Sequence, residues 1–314
     1  MNVKALAART IVSLDQCFLS RLAIRNKRDA DFENLLHVLL TAVNDKEVVC
    51  PSHALETIYE SIKINDSRNV KAVVRLQNNL SLGWAFHPFW DLVAWQMLKM
   101  VRPTFSFQRY KYELIRLPYD QALKLKRARL EQMDQRCQAV IDQTANPLVG
   151  YRKGTPFEET LAGIERGRED SMRIVLQCIA KNRDVPSPRN VVDWTVGVGR
   201  TLLKQGVTSN ECDALLRKVD DGCWRQIDVL RVHSILLSKI EQGILESNRK
   251  RKLSDHPDVY RLCVSFIYSN VVTCDKPMRD VIKQTKLEKD FPVKVFAITE
   301  AAGLTNFIAG CGKS

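Results

Sequence analysis

The stretch Ser254–Ile298, SDHPDVYRLCVSFIYSNVVTCDKPMRDVIKQTKLEKDFPVKVFAI, decides the fold class. Its first part predicts a helix, because Pro257 suits the first helical turn, where its missing N–H costs no hydrogen bond. Over Val259–Tyr268 the apolar residues recur every three or four positions, as they do on one face of a helix. Asn270 marks the end of that helix, since Asn is favoured where the backbone leaves the helical conformation.

A strand and an acid follow this helix directly. The run Val271–Thr273 is β-branched and predicts a short buried strand, after which Asp275 precedes the next helix; a last strand is predicted over Val293–Ile298. In open α/β sheets, ligands bind just beyond the carboxyl ends of the strands, where Asp275 would lie. Asp258, at the start of the preceding helix, can face the same edge, and two carboxylates there would repel each other. Such oxygen ligands suit Mg²⁺ or Mn²⁺.

The N-terminal part repeats the order of strand, acid and helix. Ile11–Leu14 is a short apolar strand that ends at Asp15, and Val48–Cys50 is a second one. Ser52 is a suitable N-cap for the helix that follows, and Glu56 in its first turns can reach back to the sheet edge. Strands that alternate with helices predict an α/β fold with a parallel sheet and crossover helices.

The charge of the chain favours a polyanionic partner. The sequence has 48 basic and 36 acidic residues, a formal net charge of +12 and an isoelectric point near 9.3. A balance of this kind is typical of nucleic-acid-binding proteins, although a basic soluble protein without such a partner has the same composition. We therefore expect a nucleic acid as partner.

Other function classes are disfavoured by what the sequence lacks. Its nine cysteines occur singly, with no C-x-x-C pair, so neither a zinc site nor a disulfide framework is indicated and a cytoplasmic location is expected. No run of about 18 apolar residues and no signal-peptide core occur, so no membrane association is expected. Gly197 and Gly199 lack the Gly-Lys-Ser/Thr ending of a phosphate loop. The histidines show no ligand spacing, and His53 is interpreted as a core or surface residue near the predicted acids.

Residues 66–249 show little strand character and predict a mainly helical insertion. The apolar spacing predicts helices over Phe157–Lys181, Val191–Gln205, Ser209–Val219 and Ile227–Ser247. Thr208 or Ser209 is expected to cap the third of these helices.

Two kinds of side chain in and after this insertion are candidates for contact with nucleic acid. The first is an aromatic-rich patch, interpreted as core rather than as a base-stacking platform; it contains Trp84, Phe86, Phe89, Trp90 and Trp95. The second is basic, and cationic side chains can displace the counterions of a phosphate backbone. Its members are Lys124, Lys126, Arg127 and Arg129 on a predicted helix, and Arg249, Lys250, Arg251 and Lys252. The alternative for the predicted helix is a solvated face. For Arg249–Lys252 a solvated linker is favoured over a phosphate contact, and a nuclear localisation signal is a further alternative.

The order of these elements resembles the PIN domain, the metal-dependent nuclease fold of many toxin–antitoxin ribonucleases. The most specific match is the unit from Asp258 to Asp275, which runs acid, helix, strand, Thr-x-Asp. The resemblance implies a discontinuous PIN-like domain at residues 1–65 and 250–314, with a central parallel sheet flanked by helices and interrupted by the helical insertion at 66–249. Cys17 departs from the pattern, because the family often has Asn or Ser two residues after the first Asp.

The resemblance also implies a chemistry, hydrolysis of phosphodiester bonds by a Mg²⁺- or Mn²⁺-dependent nuclease. The implied catalytic and metal-binding residues are Asp15, Glu56, Asp258 and Asp275, with Asp255 as an alternate to Asp258. Thr273 is expected to position the Asp275 loop through its hydroxyl. RNA is favoured over DNA because most of the relatives cut RNA, and a toxin-like or defence-related endoribonuclease with an inhibitory protein partner or a homo-oligomeric state is implied. The alternative is a catalytically inactive PIN-like scaffold, or a basic module that binds nucleic acid or protein.

Overall fold

The structure is a computed structural model that describes residues 8–53, 66–116, 153–185, 193–247 and 255–311, with the isolated positions 6, 64, 128 and 132. The chain divides into two compact units. The sheet unit comprises Met1–Phe86, Tyr110–Val140 and Val264–Ser314. The helical unit comprises His87–Arg109 and Ile141–Cys263.

Six strands and twelve helices lie within the described residues. The strands are β1 Thr10–Ser13, β2 Val48–Val49, β3 Trp84–Phe86, β4 Tyr110–Tyr112, β5 Val271–Cys274 and β6 Lys294–Ala297. The helices are α1 Gln16–Ala23, α2 Ala30–Asn44, α3 Ser67–Ser81, α4 Phe89–Val101, α5 Phe157–Ala180, α6 Asp193–Lys204, α7 Ser209–Asp220, α8 Asp228–Ser247, α9 Asp255–Tyr268, α10 Lys276–Thr285, α11 Leu287–Asp290 and α12 Ala301–Ala309. The four strands predicted from the β-branched and apolar runs are confirmed to within one residue at each end.

The sheet unit is built on a four-stranded parallel sheet with the strand order β2-β1-β5-β6. Val12 lies opposite Val271, and Val272 lies opposite Val295. All residues of β2 and β5, and all but the first residue of β1, are buried. Helices cover both faces of a parallel sheet, and its strands therefore appear in the sequence as continuous apolar runs. The predicted mixed α/β fold, a parallel sheet flanked by helices, is confirmed.

Asn270 joins three strands at their amino ends. Its side-chain oxygen accepts a hydrogen bond from the Ile11 N–H at 2.8 Å, and its own N–H donates to the Ile11 carbonyl at 2.9 Å. Its carbonyl accepts from the Lys294 N–H at 3.0 Å. The predicted end of the helix is confirmed, because α9 stops at Tyr268, and the same Asn then sets the register of β1, β5 and β6.

A second, two-stranded sheet is present in addition to the strands that the sequence predicted. β3 and β4 pair antiparallel, and Ser52 forms a parallel bridge with Ala85. The Ser52 N–H donates to the Trp84 carbonyl and the Phe86 N–H donates to the Ser52 carbonyl, both at 2.9 Å. The prediction of little strand character in this region was therefore wrong for β3 and β4. The interpretation of the aromatic patch as core is confirmed for Trp84 and Phe86, which are buried.

One hydrophobic cluster packs helices against the centre of the sheet. It contains side chains from β1, β5, α1, α2 and α12, among them Val12, Phe18, Phe32, Val271 and Leu304. At about 25 cal/mol per Å² of apolar surface removed from water, such large buried side chains stabilise a fold by roughly 1.5–3 kcal/mol each. The strand ends are thus carried on a rigid, packed base.

The helical unit is held by close helix contacts and by capped helix ends. A Cβ atom added to Gly197 of α6 would lie only 2.7 Å from Cγ of Trp90 in α4, so glycine permits these helices to approach. Gly199 has the same role against Val175. The predicted cap of α7 is confirmed, because Thr208 and Glu211 form a reciprocal capping box.

Arg102 fastens the end of α4 to the start of α7. Its guanidinium donates to both carboxylate oxygens of Glu211, at 2.5 and 2.8 Å, and to the carbonyls of Gln205 and Gly206. This two-pronged bond and the Thr208 backbone N–H lower the pKa of Glu211 to about 2. Among the described helices, none is both long and apolar enough to cross a membrane.

Candidate functional site

One residue separates Asp15 from the end of β1, and Asp15 immediately precedes α1. Its Oδ1 accepts a hydrogen bond from the Cys17 N–H at 3.0 Å, so the residue is the N-cap of the helix. Asp is favoured at this position because its short side chain satisfies an N–H that has no partner within the helix. The sequence placed Asp15 at a strand end, and the local reason is that the strand-to-helix turn needs an acceptor there.

Asp275 occupies the equivalent position after β5. Its Oδ1 accepts from the Met278 N–H at 2.9 Å and caps α10, whose first turn contains Pro277. The residue is exposed. Each of the two capping bonds uses one oxygen, and an ionised carboxylate has two oxygens and about four acceptor positions. The capping role therefore fixes the position of each side chain at its strand end.

Thr273 couples the two strand ends. Its hydroxyl oxygen accepts from the Asp15 N–H at 2.7 Å, and the hydroxyl donates to the Ser13 carbonyl at 3.3 Å. Thr273 is fully buried and lies two residues before Asp275. The expected role for this hydroxyl was to position the Asp275 loop. These two hydrogen bonds reach the neighbouring strand, so Thr273 fixes the backbone at Asp15 relative to β5.

The strand order places Asp15 and Asp275 at a particular point of the sheet. From β1 the chain proceeds to β2 on one side, while β5 lies on the other side and leads to β6. The carboxyl ends of β1 and β5 therefore border the point where the strand order reverses, which is where open α/β sheets bind ligands. Two helix N-termini also begin there, and their N–H groups favour negatively charged groups.

Three polar side chains lie buried against one another, and we name them the hydroxyl–imidazole cluster: Ser13, His53 and Ser265. The two hydroxyl oxygens are 2.7 Å apart, and His53 Nε2 lies 3.1 Å from Ser13 Oγ and 3.0 Å from Ser265 Oγ. All three residues are buried, and the imidazole stacks on Phe86 with ring centres 4.5 Å apart. Burial withholds these groups from substrate, so the cluster supports the end of β1.

The sequence analysis missed Ser13 and Ser265 as members of this cluster. A signal was present, because each is a polar residue within an apolar run, and buried hydroxyls require hydrogen-bond partners. His53 was interpreted as a core or surface residue, and it is a core residue. The partners could not be read from the sequence, since Ser13 and Ser265 are 252 positions apart.

The remaining predicted site residues fall into two groups. Asp255 and Asp258 open α9 in the helical unit, where Asp255 is buried and Asp258 half-buried. The others lie outside the described residues: Glu56, Lys124, Lys126, Arg127, Arg129, Arg249, Lys250, Arg251 and Lys252. Of the four predicted metal ligands, the structure thus brings Asp15 and Asp275 to adjacent strand ends.

The two carboxylates at the strand ends suit a hard divalent cation that takes only a few of its ligands from the protein. Mg²⁺ is commonly held by one or two carboxylates, with waters and substrate phosphates as its other ligands. Asp15 and Asp275 fit that requirement. Within the ranges that the structure describes, no group of three or more His, Cys, Asp or Glu side chains could hold a metal ion by itself.

Two buried cysteines offer no nucleophile. Cys50, directly after β2, and Cys263 in α9 are completely buried, and burial raises the pKa of each thiol above its ordinary value. Both remain protonated at neutral pH, and the thiol is a poor nucleophile compared with the thiolate.

Comparison with protein-family models, curated proteins and solved structures finds no match to this chain.

Proposed function

We propose that the chain is a Mg²⁺- or Mn²⁺-dependent nuclease with a PIN-like fold that hydrolyses phosphodiester bonds, with RNA as the favoured polymer. The observation that carries the proposal is the position of Asp15 and Asp275 at the carboxyl ends of adjacent parallel strands, where the strand order reverses. The net charge of +12 is what a polyanionic substrate requires.

The residues of the proposed site have separate roles. A bound divalent cation would supply an activated water and charge stabilisation at the phosphate. Asp15 and Asp275 would hold that cation; the further ligands that the PIN resemblance implies are Glu56 and Asp258, or Asp255 as its alternate. The capping bonds and the Thr273 hydroxyl keep the two carboxylates in place before substrate arrives, so little reorganisation is needed during the reaction.

The wider biological role is proposed from the resemblance alone. A cytoplasmic endoribonuclease of toxin-like or defence-related type would be restrained by an inhibitory protein or by self-association. The basic residues of the helical insertion and of Arg249–Lys252 are assigned to the phosphate backbone, where each neutralised phosphate adds to the salt dependence of binding.

The helix caps provide a sharp experiment. Asn caps a helix as well as Asp does, so Asp15→Asn and Asp275→Asn remove the charge while keeping the fold. Asp29 and Asp66 cap α2 and α3 by the same bond, accepting from the Phe32 and Arg68 N–H groups at 3.1 and 2.8 Å. Asp29→Asn and Asp66→Asn are therefore matched controls. End-labelled single-stranded RNA and DNA are incubated with Mn²⁺, with Mg²⁺ and with EDTA.

We expect metal-dependent cutting of RNA by the wild type and by both controls. Loss of a metal ligand costs several kcal/mol of transition-state stabilisation, so Asp15→Asn and Asp275→Asn should lower the rate about 100-fold or more. Cutting that survives in both variants, or that EDTA leaves unchanged, would refute the proposal.

A second candidate, a noncatalytic module that binds nucleic acid or protein, is favoured by a specific observation. Asp15 and Asp275 have a sufficient structural role as N-caps, and no three-acid group lies among the residues described. This candidate predicts that RNA binds but is not cut. Charge reversal at Lys124 and Arg127 should then weaken binding, while Asp15→Asn should leave binding unchanged.

A further inference from the structure

A recess in the helical unit lies between α5, the 3₁₀ turn Cys223–Gln226 and α8. It encloses about 220 Å³ of empty space, part of it open to solvent, and its enclosed part has room for roughly one water-sized group. Its lining combines two arginines, one carboxylate, one hydroxyl and two apolar side chains: Arg168, Arg225, Glu165, Ser234, Trp224 and Leu230.

Arg168 is the unusual member of this lining. Its side chain is buried, with only 4% of the residue exposed. Nη1 donates to Ser234 Oγ at 2.6 Å, whereas the buried Nη2 has no acceptor among the residues that the structure describes. Burial lowers the pKa of Arg168 to about 10, which reflects the cost of a cation removed from water without a bonded anion. A buried guanidinium normally has a carboxylate or another acceptor at each edge.

The nearby carboxylates are directed to the other arginine. Glu169 bonds Arg225 Nε and accepts from the Trp224 indole N–H at 3.2 Å, and Glu165 lies 3.6 Å from Arg225 Nη1. We name this set, together with Arg168, the guanidinium–carboxylate cluster. Among the described residues, Arg168 donates a hydrogen bond to the Ser234 hydroxyl, and Glu165 attracts its charge without a hydrogen bond between them.

We propose that this recess binds the carboxylate of a small organic acid, with formate and acetate as the simplest examples. One carboxylate oxygen occupies the enclosed part and accepts from Arg168 Nη2. The Ser234 hydroxyl, whose oxygen accepts from Arg168, has its own proton to donate to the same group. Trp224 and Leu230 provide an apolar wall for the hydrocarbon end. A single negative charge fits and a phosphate dianion does not, because Glu165 shares the lining and repels further negative charge.

The test is titration of the full chain with sodium formate and sodium acetate, with sodium chloride at equal ionic strength as reference. Binding is measured by calorimetry and by the rise in melting temperature that a ligand of the folded state produces. A hydrogen bond between charged groups contributes enough that Arg168→Met should weaken binding about tenfold or more. Arg166→Met, an exposed residue of the same helix, should bind as the wild type does.

Glu165→Gln provides an independent arm, because it removes the repelling charge and should tighten binding. Replacement of a buried ion by an apolar side chain of similar size is usually tolerated, so Arg168→Met is expected to fold; if it does not, the Glu165→Gln arm decides. An absent or chloride-matched rise in melting temperature, or equal binding by Arg168→Met, would overturn the proposal. Unchanged binding by Glu165→Gln would overturn it as well, and so would a crystal structure in formate with only a water at Nη2.

Discussion

The hydroxyl–imidazole cluster of the sheet unit is buried, whereas the guanidinium–carboxylate cluster of the helical unit reaches from the buried Arg168 and Glu169 to the exposed Arg225. The two clusters also differ in how their bonds are shared. Ser13, His53 and Ser265 are in mutual contact, so each side chain has two neighbours within the cluster. In the other cluster Glu169 is the common partner of Arg225 and Trp224. Removal of one member of the first cluster leaves a bonded pair, whereas removal of Glu169 takes the acceptor from the Trp224 indole N–H and leaves Arg225 with Glu165 at 3.6 Å.

The largest effect on stability should therefore come from Glu169→Leu. Breaking a buried ion pair from one side costs about 3–5 kcal/mol, and the partial exposure of Arg225 reduces this to roughly 2–3 kcal/mol. Glu169→Gln keeps hydrogen-bond acceptors and should cost about half as much. Urea unfolding at neutral pH measures both variants, and equal costs would show that charge is unimportant in this cluster.

The next effect should come from the hydroxyl–imidazole cluster. His53→Leu removes a ring that bonds two hydroxyls and should cost about 1–2 kcal/mol, while Ser265→Ala should cost about 1 kcal/mol because Ser13 and His53 still pair. The double variant should cost less than the sum, since the single changes share partners. If Ser265→Ala lowered the free energy of unfolding as much as Glu169→Leu does, the expected difference between the two clusters would be wrong.

The smallest expected effect on stability comes from the ion pair between Arg102 and Glu211, which lies nearer the surface of the helical unit. Arg102 and the Thr208 N–H lower the pKa of Glu211 to about 2, so the folded state binds this proton less readily than the unfolded chain. The stabilisation is present above the ordinary Glu pKa of about 4.5 and is lost as pH falls toward 2. Its size is on the order of 1 kcal/mol because water screens the pair. Melting temperatures between pH 5 and pH 2 should fall less steeply in Glu211→Gln, and an identical slope in the variant would exclude this pair as a cause.

The strands and helix caps were predictable because their causes are local. Val271–Thr273 carries its own β-branched signal, and Thr208 with Glu211 carries its own capping box. β3 was not predictable, since the three residues around Ala85 become a strand through their pairing with Ser52 and with β4. Each of these pairings joins residues that are distant in sequence.

The same distinction between local and long-range causes applies to the candidate site. Asp15 and Asp275 could be found because an acid directly after a strand is visible in the sequence, and the strand order then set them side by side. Ser265 and Arg168 could not be found, because each lies on an amphipathic helix and the pattern does not say which polar residue the fold will bury. Burial of a polar group is decided by the partner across the interface, here Ser13 and Ser234.

The capping role of Asp15 and Asp275 affects which substitutions the chain can accept during evolution. A helix start needs only a short side chain with an acceptor oxygen, which Asn and Ser supply as well as Asp does. One base change converts an Asp codon into an Asn codon, and it removes the negative charge while the helix start persists. A descendant can thus lose the negative charge at the strand ends and still inherit an intact fold.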